Sequence, residues 1–211
     1  VSDQAVIVRR LLDKAGRTYA DEAGIKLADK PSPLYRLLVL ATLLSTRINA
    51  GIAVAAAKEL AAAKLTTPRA MADSRWQDRV DALGRAHYLR YDEQTATALG
   101  DSAETLLRDY SGDLRKLREA GDGGTEGIRR RLRKFARVGP VGADIFCREA
   151  QAVWPELRPY LDKKALDGAK RIGLPADPAQ LARHTDDEAL LAAALVRVAL
   201  DRELAESVAE G

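Results

Sequence analysis

Cysteine occurs once in these 211 residues and histidine twice. The lone thiol, Cys147, cannot close an internal disulfide, and it excludes a zinc or iron-sulfur centre built from several cysteines of this chain. Its apolar helical spacing with Phe146 and Ala150 marks it as a core residue. His87 and His184 stand isolated and are assigned no metal. No apolar run is long enough to span a bilayer, and the first segment carries Asp3, Arg9 and Arg10 in place of a signal-peptide core. A cytoplasmic protein without membrane contact is expected. Neither charge sign dominates: the net charge is +3 and the pI about 9.0, so basic residues act through clustering rather than through their total. Alternating strand patterns and internal repeats are missing as well.

What is present is helical periodicity. At 46% hydrophobic and 31% charged, the chain fits one compact protein of one or two small domains. Val6, Val8, Leu11 and Leu12 mark a first helix ending at Gly16. Pro31-Ser32-Pro33 breaks the chain before a stripe of Leu34, Leu37, Leu38, Ala41 and Leu44. The alanine-rich stretch from Ala50 to Ala63 predicts a helix that packs closely against its neighbours. Thr67-Pro68 reads as a cap with proline at the first helical position, and Ser74 to Gln77 as a capping box opening a helix that Gly84 closes. A longer helix is expected from Asp92 to Tyr110, stopped by Ser111-Gly112. Thr125 is the cap expected for the helix after it. Asp177-Pro178 starts another, and Leu190, Leu191, Ala194, Leu195 and Val198 form a final stripe.

The chain is organised around the stretch from Ile128 to Asp162. A basic helix from Ile128 to Phe135 runs into Val138-Gly139-Pro140-Val141-Gly142, and a second, apolar helix is expected from Ala143 to Val153. A tight glycine turn between helices leaves backbone N–H groups unpaired where the helix dipole favours an anion. Arg129, Arg130, Arg131, Arg133, Lys134 and Arg137 stand just upstream with no acid among them, the arrangement expected of a surface that neutralises phosphates.

This stretch resembles the helix-hairpin-helix of the HhH-GPD DNA glycosylase superfamily, and looks closest to endonuclease III. That hairpin reads Leu-Pro-Gly-Val-Gly, and the same register gives Ala136-Arg137-Val138-Gly139-Pro140-Val141-Gly142-Ala143 here. Trp154-Pro155, Asp162 and Arg171-Ile172-Gly173-Leu174 are similar to the family's Trp-Pro, aspartate and Arg-Leu-Gly-Leu, and Leu43-Leu44-Ser45-Thr46-Arg47 to its Leu-Leu-Ser-x-Gln. The resemblance implies an all-α, two-lobed fold: a six-helix barrel over residues 31–140, and a second lobe from residues 1–30 and 141–211. It also implies a monomer acting on double-stranded DNA that contains a damaged base, in the cytoplasm and associated with the nucleoid.

Residue roles follow from the resemblance position by position. Asp162 stands where an aspartate caps a helix, and also where the family places its catalytic carboxylate, which lowers the barrier as positive charge builds on the sugar. Val141 replaces the lysine whose amine forms a Schiff base in members that cut the strand, so a monofunctional glycosylase using water is implied. Arg47 matches a glutamine that fills the gap left by an extruded base, though a solvated arginine near a helix end fits equally. DNA contact is expected from Val138, Gly139, Pro140, Val141, Gly142, Arg137, Lys134, Arg47 and Lys163. Lys163 and Lys164 adjoin Asp162 but fit phosphate contact or plain solvation better than catalysis. Arg137 replaces the first hairpin glycine, where it could add a phosphate contact. Trp76, Tyr88, Tyr91, Trp154 and Tyr160 could line a base pocket, though helical aromatics are more often core. The four clustered cysteines of the endonuclease III branch are missing, so no iron-sulfur cluster and no other cofactor is expected.

Three readings remain from sequence: a base-excision glycosylase with Asp162 as its carboxylate, a catalytically inactive DNA-binding or damage-sensing protein, and an unrelated helical scaffold. A cationic alkylated purine suits a site without the lysine, because such a base needs little help to leave.

Overall fold

A computed structural model describes residues 3–121 and 124–210. Among the described residues the structure is all-helical, with no strand. The helices are α1 (Asp3–Ala15), α2 (Tyr19–Glu22), α3 (Pro31–Leu44), α4 (Ala50–Ala62), α5 (Pro68–Asp73), α6 (Trp76–Arg85), α7 (Asp92–Tyr110), α8 (Leu114–Glu119), α9 (Gly124–Leu132), α10 (Gly139–Ala150), α11 (Lys163–Arg171), α12 (Pro178–Ala182), α13 (Glu188–Leu200) and α14 (Arg202–Ala209). A 3-10 turn, Pro155–Leu157, precedes α11. The chain forms two compact units, residues 20–147 and residues 1–19 with 148–211. Their seams stand at 19/20 and 147/148, where the sequence expectation had 30/31 and 140/141.

In the unit of residues 20–147, α3 is buried along nearly its whole length, with Leu34, Leu37, Leu38, Leu40 and Leu43 at most 1% exposed. Burying each such leucine contributes about 1.5–3 kcal/mol. Pro31 opens this helix at its first position, so Pro31-Ser32-Pro33 is the start of an element and not a break before one. Alanines 53, 56 and 57 of α4 let it lie close against α3. Thr67 caps α5, accepting from the Ala70 N–H at 3.1 Å. The capping box expected at Ser74 does not form. Ser74 ends α5 with its hydroxyl on the Met71 carbonyl (2.6 Å), while its own carbonyl takes the buried Arg79 guanidinium (2.9 Å). Nor does Gly84 close α6: the helix runs on to Arg85, and His87 makes the left-handed turn at φ +59°. Ser111 (φ +53°) and Gly112 (φ +78°) stop α7 as the sequence predicts. Thr125 lies inside α9, whose first residue is Gly124, and is therefore no cap; Asp122 and Gly123 lie outside the described residues. Burial pushes the Cys147 thiol up to about 12.

In the unit of residues 1–19 and 148–211, α13 is the axial element, buried from Leu191 through Val196. Against it lies α11, so close that a Cβ on Gly168 would stand 1.9 Å from the Leu195 carbonyl oxygen. Asp177 caps α12 through the Ala179 and Gln180 N–H groups, as its Asp-Pro sequence implies. The final stripe is followed by a helix of its own, α14, capped by Asp201 on the Leu204 N–H at 3.0 Å.

Candidate nucleic-acid interface and carboxylate site

The hairpin is built by two left-handed residues. α9 ends at Leu132, and the turn into α10 contains Arg137 at φ +60° and Gly139 at φ +55°. A Cβ on Gly139 would meet nothing within 4 Å, so conformation and not space selects glycine there. Gly142 is selected by space: its Cβ would lie 3.0 Å from Val138 Cγ1 and 3.5 Å from Ser45 Cβ. The second hairpin helix begins at Gly139 and ends at Ala150, which corrects the span of Ala143 to Val153. The Gly-Pro-Val-Gly segment is thus the helix's first turn, closed by the Gly142 N–H on the Val138 carbonyl at 2.8 Å. First-turn N–H groups lack intrahelical acceptors and carry the positive end of the helix dipole. This turn can receive an anion.

The side chains around it divide. Arg137, Lys134, Pro140 and Val141 are exposed, Val141 at 59%, whereas Val138 is 1% exposed and belongs to the core. The basic run is not the uniform cationic face that its sequence suggests. Arg129 meets Asp144 Oδ1 at 2.9 Å and Glu126 Oε2 at 2.7 Å, so its charge is cancelled while it ties α9 to α10. Asp144 lies fifteen positions along on the facing helix, beyond the reach of a local reading.

Beside the turn, Ser45, Thr46, Arg47, Tyr91 and Arg137 line an open concavity of about 350 Å³. Thr46 is fixed by the Tyr88 hydroxyl at 2.9 Å, and Tyr88 is fully buried. Arg137 Nη1 donates to Gln94 Oε1 at 2.7 Å, and its Cζ lies 5.6 Å from the Tyr91 ring centroid. Arg47 is exposed at the rim. Sequence reasoning picked out Arg47 and Arg137 but missed that Gln94 and Tyr91 join them, because a contact across 43 positions carries no periodic signal.

In the other unit, Asp162 caps α11. Its Oδ1 accepts from the Ala165 N–H at 3.3 Å, and Oδ2 from Arg148 Nη1 at 3.0 Å. The two side chains are only 9% and 5% exposed. Fully buried Gln151 holds the approach to Asp162: its Nε2 donates to the carbonyls of Arg148 (2.8 Å) and Tyr160 (2.9 Å), and its Oε1 accepts from the Tyr160 N–H (2.8 Å). Arg148 and Gln151 are the residues here that the sequence reading did not single out. Arg148 Nε is buried without an acceptor among the described residues. Lys163, 91% exposed, meets Asp167 at 3.4 Å, and Lys164 is exposed. Trp154 is fully buried, a core residue. Among the described residues no three His, Cys, Asp or Glu side chains gather as a metal would require, and no helix is long and apolar enough to cross a membrane.

The helical order and the hairpin define a fold of the helix-hairpin-helix (HhH-GPD) DNA glycosylase type. Among solved structures, the chain is similar to H. pylori 3-methyladenine DNA glycosylase (MagIII) bound to 1,N6-ethenoadenine, with a TM-score of 0.54 over 94% of this chain and 96% of that one. At 15% identity the likeness is one of fold. No family model and no curated protein matches the chain.

Proposed function

We propose that the chain is a DNA base-excision glycosylase that hydrolyses the N-glycosidic bond of a damaged nucleotide without cutting the strand. The observation that carries this reading is the fold, shared along almost the whole chain with a DNA glycosylase. In the reaction, the bond from sugar C1′ to the base nitrogen breaks and its electron pair leaves with the base. A water oxygen bonds to C1′ and loses a proton to solvent. Positive charge builds on the sugar as the base departs, and a carboxylate nearby lowers that barrier. Asp162 is the carboxylate assigned to this role. Val141 supplies no amine, so no Schiff base forms at the hairpin. A base already cationic leaves as a neutral molecule, which fits an alkylated purine.

Base release from duplexes carrying 3-methyladenine, 1,N6-ethenoadenine and mismatched or oxidised bases tests the reading. Release from an alkylated purine, falling by about 10²–10³ in Asp162→Asn, is expected. Borohydride should trap no covalent adduct, and a trapped adduct overturns the use of Val141.

One observation favours a second reading. The Asp162 carboxylate is already held by Arg148 and by a helix cap, a state that suits a structural residue in a DNA-binding protein without catalysis. Salt-dependent duplex binding with no base release from any substrate in the panel would establish it.

A further inference from the structure

Two arginines lie over one tyrosine on the surface of residues 20–147, and a third lines the concavity beside it. Tyr91 stands just before α7, with Arg90 Cζ 5.2 Å and Arg137 Cζ 5.6 Å from its ring centroid. Arg47 lines the same concavity. Six other arginines of the same unit, Arg75, Arg85, Arg108, Arg115, Arg118 and Arg129, each meet a carboxylate. Among the described residues, Arg47, Arg90 and Arg137 have no ion-pair partner, and neither Asp92 nor Glu93 beside them forms one. Among the described residues, the one acceptor bonded to the Arg137 guanidinium is the neutral Gln94 amide oxygen. A neutral acceptor fixes direction without cancelling charge, and the tyrosine face stabilises a cation without screening it from a ligand.

The backbone adds a second, independent observation. Arg137 holds φ +60°, a conformation that glycine adopts freely and an arginine adopts at a cost. Gln94 and Tyr91 take hold of the side chain that this strained residue projects.

We propose that Arg137, clamped by Gln94 and Tyr91 and flanked by Arg90 and Arg47, is a phosphodiester seat that grips one DNA strand beside the hairpin turn. The seat rests on the reading that this chain acts on DNA, and it adds to the backbone N–H groups of the turn a charged, directed contact. Guanidinium forks match phosphate oxygens in pairs, so the remaining N–H donors of Arg137 suit this ligand.

Duplex affinity measured between 50 and 200 mM salt tests it, with wild type, Arg137→Gly, Tyr91→Leu and the ion-paired control Arg108→Gln. Arg137→Gly should weaken binding about tenfold and lower the slope of log affinity against log salt by about one. Its thermal midpoint should hold or rise, because glycine relieves the left-handed residue. Tyr91→Leu keeps all the cations, so it should weaken binding about threefold with the slope unchanged. Arg108→Gln should bind like wild type. Arg137→Gly binding with wild-type affinity and slope overturns the seat alone. A wild-type chain that binds no duplex at any salt overturns the seat and the DNA reading together. Binding that depends on Arg137 without base release supports the seat and removes only the enzymatic reading.

Discussion

At position 148 a guanidinium is taken out of water to meet one carboxylate. Such a buried pair contributes little net stability over apolar residues of the same size, but removing one partner strands the other charge, which costs about 3–5 kcal/mol. Arg148→Met should therefore lower the denaturant midpoint sharply, and Arg148→Met combined with Asp162→Asn should recover most of the loss. A single variant losing no more than about 1 kcal/mol would show that the carboxylate finds water on its own. Asp162 was visible in the sequence as both a cap and a candidate carboxylate, and its cap geometry was legible from the apolar spacing after it. Its partner was not legible. Arg148 sits on α10 among apolar neighbours, where an arginine pattern alone does not distinguish an inward side chain from a solvated one.

Helices were read well where the signal was local. Thr67 and Asp177 each precede a proline and cap the helix that follows, and Ser111-Gly112 stops α7 with two left-handed residues. The reading failed where a distant group competed: Arg79 occupies the Ser74 hydroxyl and carbonyl, leaving that serine unable to cap α6. It also placed the start of α10 four residues late, because Gly-Pro-Val-Gly looks like a loop until its φ values are known. The close crossing of α11 over α13 was invisible in sequence. Gly168 faces the backbone of α13, and any Cβ there must displace the Leu195 carbonyl. Gly168→Ala should destabilise by about 2–4 kcal/mol despite the better helix propensity of alanine, measured by chemical unfolding. A neutral or stabilising result would mean that α11 shifts away from α13 without penalty.

For the whole molecule, the order of motifs from Leu43 to Leu174 pointed to the fold, and the structural likeness at 15% identity agrees with that reading. What no motif carried was the distribution of charge. The net charge of +3 vanishes near pH 9.0, yet the guanidinium groups stay protonated far above that pH. If local cations and not the total charge hold DNA, duplex affinity at pH 9 should stay within about threefold of its value at pH 7 at equal salt. A loss that follows the net charge to zero would show the opposite.

The bond from Arg129 across to Asp144 has a kinetic corollary. With that arginine joining two helices, one cation fewer is left to hold a bound strand. On the DNA reading, intact sequence would be released quickly, and time spent at a nucleotide would be decided by whether its base can be drawn out rather than by adhesion to the backbone.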